Sequence, residues 1–136
     1  MTALNHFDLI DDTNKEDITG WFTAPATGLY RFYISCDNGC SFSIDATNPY
    51  VAGATNSPSP VVVAYRNWGI SWRSYWYNKN EGQKSDWISL TEGESYYVAA
   101  STKVYKQTLD MTVSLEIQPT DPAQLNSTHP KLAKSI

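Results

Sequence analysis

Residues 110–117, DMTVSLEI, alternate without a slip: Met111, Val113, Leu115 and Ile117 are apolar, while Asp110, Thr112, Ser114 and Glu116 are polar. A period of two sends successive side chains to opposite faces of an extended chain, so this is a strand with one buried and one wetted face. Tyr30, Phe32 and Ile34 repeat the pattern within residues 29–35, and Phe42 and Ile44 continue it. WISL at 87–90 and SYYVAAS at 95–101 flank TEG, a short turn in which Gly93 can take positive φ. PATG at 25–28 separates GWFTA from LYRFYIS in a similar way, with Pro25 early and Gly28 late in the turn. PVVVAY at 60–65 reads as a buried strand. Several short strands punctuated by Gly and Pro predict an all-β sandwich or barrel.

No window of twelve or more residues carries a helical stripe. Trp68, Trp72 and Trp76 lie four apart, as on a helix face. Gly69, Ile70 and serines interrupt them, and NKNEGQK follows, so the segment reads as a long loop feeding an aromatic strand. Residues 46–60 are turn formers almost throughout and predict a surface loop. After Ile117 the chain turns to QPTDPAQLNSTHPKLAKSI, whose prolines and few large apolar residues suggest a linker or a tail ordered on contact. One domain over 1–118 and a polar tail over 119–136 follow. In that tail Asn126-Ser127-Thr128 is an N-glycosylation triplet.

The 136 residues suffice for one core but not comfortably for two. A net charge of −4 and the lack of any Lys or Arg run exclude a phosphate backbone as partner. No apolar stretch approaches membrane-spanning length, which excludes direct membrane insertion by a helix. The start MTALNHFDLIDD lacks the basic lead and apolar centre of a signal peptide, which leaves a cytosolic protein or a segment of a larger secreted one. Nine Tyr and five Trp are a heavy aromatic load for this length, suited to a β core and to stacking on sugars or partner proteins.

Catalysis has little to work with. His6 and His129 are the two imidazoles, and both are expected in the flanks of the strand-rich body. Without a central His, a Ser or Cys nucleophile lacks its ordinary activating base. Glu92 and Glu94 straddle a turn and are most simply solvated. The chain is expected not to be an enzyme.

SCDNGCSFSID at 35–45 is the densest cluster of chemistry. Cys36 and Cys40 have three residues between them, which fits neither a thioredoxin-like pair nor, without a second Cys pair, a zinc site. A disulfide closing a hairpin bend is geometrically possible, and two reduced thiols are the alternative in a reducing compartment. Asp37 and Asn38 offer side-chain oxygens at the tip, ordinary turn chemistry unless a second loop supplies more donors to a Ca²⁺ ion.

GWFTAPATGLYRFYISCDNGCSFSID resembles the signature of the protective-antigen-fourteen domain family, especially its fibrocystin-like branch. QKSDWISLTEGESYYVAAS and LDMTVSLEI match as well, so the resemblance spans roughly residues 7 to 118. It implies a β-sandwich with jelly-roll character in an extracellular or cell-surface protein. Sugar-binding members hold Ca²⁺ with two successive acids and an Asn from a second loop, and the ion contacts sugar hydroxyls. Here the acid pair falls on Asp37 and Asn38, so one carboxylate has become an amide. The matching second loop, near residues 102–108, holds two lysines and no Asn, with Asp110 at its end. Lysines beside an ion site oppose cation binding. The resemblance therefore implies a degenerate calcium site formed by Asp37, Asn38 and Asp110. The extracellular setting it implies favours a Cys36–Cys40 disulfide and gives the triplet at Asn126 a use.

Together these readings predict a non-catalytic recognition or adhesion module. Its ligand is expected to be a glycan, bound by Asp37, Asn38, Trp68, Trp72, Tyr75 and Trp76. The alternative is a structural module that contacts a neighbouring extracellular protein domain within a larger ectodomain or filament.

Overall fold

A computed structural model describes residues 5–12, 17–36, 39–54, 57–66, 81–103, 111–121 and 132–134. The nine strands are β1 (Asn5–Asp12), β2 (Asp17–Thr23), β3 (Gly28–Cys36), β4 (Gly39–Ile44), β5 (Val61–Arg66), β6 (Ile88–Leu90), β7 (Ser95–Lys103), β8 (Met111–Pro119) and β9 (Leu132–Lys134). Among the described residues a 3-10 turn, Glu81–Gln83, precedes β6. The strands form two antiparallel sheets, one in the order β1-β8-β3-β6 and the other β5-β4-β7-β2-β9. The expected all-β sandwich is the architecture found.

Alternation decides which side of each strand enters the space between the sheets. From the first sheet Tyr30, Phe32, Ile34 and Cys36 of β3 point inward, with Met111, Val113, Leu115 and Ile117 of β8 beside them. The second sheet answers with Phe22, Phe42, Ile44, Tyr96, Val98 and Ala100. Phe32 and Phe42 meet across the gap at 4.9 Å between ring centroids, and Phe22 packs edge-on against Tyr30 and Phe32. Each such ring, removed from water, contributes about 1.5–3 kcal/mol, and the seam of phenylalanines is where the two layers are held.

The tight turns expected to join neighbouring strands instead carry the chain from one sheet to the other. PATG links β2 of the second sheet to β3 of the first, and TEG links β6 of the first to β7 of the second. Gly93 takes φ 82° in that second crossing, as its position required, and its N–H bonds Ala24 O in the first crossing at 2.9 Å. Among the described strands only β4 and β5 are consecutive and pair with each other. The alternation of sheets along the chain is the jelly-roll character.

Two placements differ from expectation. Residues 61–66 do form a strand, yet it is not buried: Val61 is 66% and Val62 52% exposed, and only Ala64 is fully enclosed. β5 lies at the edge of its sheet with β4 on one side alone, and a bulge between Phe42 and Ser43 shifts the register there. His6 sits inside β1, opposite Glu116 of β8, rather than in a flank. The tail is ordered on contact, one of the two alternatives expected of it: its strand β9 pairs Leu132, Ala133 and Lys134 with Phe22, Trp21 and Gly20 of β2.

The described residues of the loop 46–60 lie at the surface as expected, and Asp45 anchors it from the end of β4. This carboxylate is only 2% exposed. Its Oδ1 accepts from the Thr47 and Asn48 backbone N–H groups at 3.1 Å and from Thr47 Oγ1, while Oδ2 accepts from Ser59 N at 2.8 Å. Burial alone raises an aspartate's pKa; here the bonds from Ser59 N, Asn48 Nδ2 and Thr47 outweigh it and hold the group below its ordinary value.

A candidate ligand-binding end of the sandwich

The register places four chain segments at one end of the sandwich. In the first sheet Asp12, Met111 and Cys36 stand in one row across β1, β8 and β3. In the second, Asp17 pairs with Ser101, Gly39 with Lys103, and Cys40 with both Thr102 and Arg66. Segments 13–16, 37–38, 67–80 and 104–110 therefore all depart from this end. The residues expected to contact ligand belong to three of them.

A disulfide ties the two layers together there. Cys36 ends β3 in the first sheet and Cys40 lies in β4 of the second, so the bond joins the sheets instead of closing a hairpin. Its Cα atoms are 6.3 Å apart, within the range a disulfide bridges without moving the backbone, and both cysteines are buried. The bonded form is the oxidised alternative left open by spacing alone. Buried Thr102 reinforces the corner, its Oγ1 donating to Gly39 O at 3.0 Å.

The return of segment 67–80 is fixed just as firmly. Gln83 is fully buried, and its Nε2 donates to Ile34 O at 2.9 Å. Lys84 bridges to Tyr33, and Ser85 exchanges two bonds with Phe32: its N–H donates to Phe32 O at 2.8 Å, and its Oγ accepts from Phe32 N at 2.9 Å. Gly82 lies under the Tyr65 ring, where a Cβ would come within 2.6 Å of Cζ; no other residue fits without moving that ring. Gln83 and Ser85 were not legible as framework residues, because QKSD in sequence looks like solvated loop.

Asp37, Asn38, Trp68, Trp72, Tyr75, Trp76, Asp110 and Asn126 lie outside the described residues, as does His129. What the frame establishes is where their segments begin. Cys36 and Met111 are direct cross-strand partners, so residues 37 and 110 each follow one end of the same rung. Gly39 and Lys103 do the same in the opposite sheet. A Ca²⁺ ion needs about 6–8 oxygens, and Asp37, Asn38 and Asp110 supply two carboxylates and one amide. Such a set fits the ion only in part. Among the described residues no cluster of three or more His, Cys, Asp or Glu side chains could hold a metal.

Comparison with family models, with curated proteins and with solved structures finds no match.

Proposed function

We propose that this domain is a non-catalytic extracellular recognition module whose loop end binds a glycan. The observation that carries the reading is that Cys36, Gly39, Arg66, Lys103 and Met111, the residues that border segments 37–38, 67–80 and 104–110, stand together at one disulfide-tied end. Binding chemistry placed on loops above a rigid β frame is the usual division of labour in such folds. Trp68, Trp72, Tyr75 and Trp76 suit sugar because a pyranose C–H face packs on a ring while fixed polar groups take its hydroxyls. Asp37, Asn38 and Asp110 supply those polar groups, with Ca²⁺ at most a weak auxiliary because an amide replaces one carboxylate. The disulfide is compatible with an extracellular protein. Among the described residues no helix is long and apolar enough to cross a membrane.

A glycan array read with Ca²⁺ and with chelator tests this. The expected result is binding to a limited set of oligosaccharides that weakens when Asp37→Ala or Trp72→Ala is introduced. No binding in either buffer would sink the proposal.

A second reading, an assembly module between neighbouring ectodomain units, draws on the exposed β5 edge. Val61, Val62 and Tyr65 are exposed on this strand, whose one charged residue is Arg66 at its end, and among the described residues β4 alone pairs with it. Light scattering separates the readings, since assembly requires self-association that Val62→Lys abolishes.

A further inference from the structure

The two outer faces of the sandwich have different chemistry. On the first sheet Arg31 of β3 stands opposite Glu116 of β8, and its guanidinium lies 4.3 Å from the Trp87 ring centroid. Further along the same outer side of β3, Tyr33 and Ser35 are only 7% and 6% exposed, so part of this face is covered. The outer face of the second sheet is built otherwise. Register across β2, β7, β4 and β5 gives one row of Asp17, Ser101, Ser41 and Tyr65, and a second of Thr19, Ala99, Ser43 and Val62. A third row begins with Trp21 opposite Tyr97, and Tyr50 from the surface loop closes on Trp21 at 5.3 Å between centroids. The fourth is Thr23 opposite Ser95.

The floor is thus Ser, Thr and Ala, with aromatic rings on two sides. Asp17 is the one charged residue in these four rows, and it accepts a 2.6 Å bond from Ser101 Oγ. Thr23 and Ser95 share a 2.7 Å hydroxyl bond. The hydroxyls of Thr19, Ser41 and Ser43 bond no other described side chain. At about 4.8 Å per strand the four strands span roughly 14 Å, room for several linked rings and more than a monosaccharide needs.

We infer that this face is a second binding surface, independent of the loop end, and that its ligand is an uncharged oligosaccharide. Hydroxyls that both donate and accept match the two-way hydrogen bonding of sugar hydroxyls. The Trp21–Tyr97–Tyr50 cluster and the half-exposed Tyr65 supply apolar edges for sugar C–H groups. A protein partner would suit the aromatic edges, since interface cores are enriched in Tyr and Trp, but not the floor, since they are depleted in Ser and Ala. The next row places Lys103 opposite Gly39 at the loop end, but the four rows of the floor hold no cation to pair with an anionic polymer.

The test uses Ala99→Arg and Ser43→Arg, which plant a long cation in the floor without touching the core face. The wild-type chain and both variants are applied to an array of neutral gluco-, manno-, galacto- and N-acetylglucosamine oligomers, beside Asp37→Ala. The inference expects at least a tenfold loss of apparent affinity in both arginine variants for a bound oligomer, at unchanged melting temperature, whatever Asp37→Ala does. Should an arginine variant fail to fold, the wild-type chain titrated with the bound oligomer must show amide shifts at Thr19, Ser43 and Ala99. Binding that falls less than tenfold in the folded variants, or that is lost in Asp37→Ala alone, overturns the inference and leaves the loop-end proposal standing. So does a wild-type dimer in light scattering that Ala99→Arg converts to monomer, since a second copy would then cover the face. An array with no bound oligomer overturns it together with the loop-end proposal.

Discussion

Replacing Cys36 and Cys40 together by Ala removes the covalent tie between the two sheets. The cysteines are only four residues apart, so the bond closes a small loop in the unfolded chain. For a loop that short the chain-entropy contribution is about 2 kcal/mol. Both sulfurs are also packed away from water, and losing two atoms of roughly methylene size adds about 1 kcal/mol each. The double variant is therefore expected to be less stable by about 4 kcal/mol. Spread over the unfolding entropy of 136 residues, that lowers Tm by about 14 °C. Differential scanning calorimetry measures the shift, and a thiol assay on the denatured wild-type chain counts its free sulfhydryls, expected to be none. A fall in stability below about 1 kcal/mol would refute the reasoning, because neither the cross-link nor the buried sulfurs would then be contributing as assigned.

Three further outcomes are expected. Asp45→Ala strips the anchor from residues 45–60 and leaves several N–H groups unanswered, costing about 3 kcal/mol in urea titrations. Because the folded Asp45 carboxyl lies below its ordinary value, the native state binds fewer protons than the unfolded one in the acid range. Its stabilisation is full above the unfolded aspartate value and is lost as pH falls through the folded one, so an Asp45→Asn series should show a flatter acid limb. Tyr30 donates to Ala26 O at 2.6 Å and accepts from Ala26 N at 3.2 Å; Tyr30→Phe should cost about 1–2 kcal/mol by the same titration. Burial, ahead of its hydrogen bonding, pushes that phenol up to about 12. The stability it lends is present below pH 10, declines as the unfolded tyrosine ionises, and is gone above about 12; an absorbance titration of the phenolates should find one late group that Tyr30→Phe removes.

The strands were legible where one face was dry and the other wet. Met111 to Ile117 alternate because β8 lies mid-sheet with a core on one side only, whereas in β3 Tyr33 and Ser35 are buried on the other side as well. Sheet membership was not legible, since a short Gly or Pro turn looks the same whether it closes a hairpin or crosses between layers. β5 misled for a related reason: VVVAY has the composition of a buried strand, but exposure depends on its edge position, which only the pairing reveals. Asp45 drew no reading in the sequence because its role rests on Ser59, fourteen residues on. At the loop end the cysteine spacing pointed to a staple, while the direction of that staple, from one sheet to the other, needed the topology.

The central claim is that ligand binds where segments 37–38, 67–80 and 104–110 converge. Amide chemical-shift mapping of the isotope-labelled chain, titrated with an oligosaccharide chosen from the array, tests it most directly. The expected result is that shifts at Cys36, Gly39, Lys103 and Met111, the frame residues bordering those segments, are among the largest. Unmoved amides at all four positions under saturating ligand would contradict the claim.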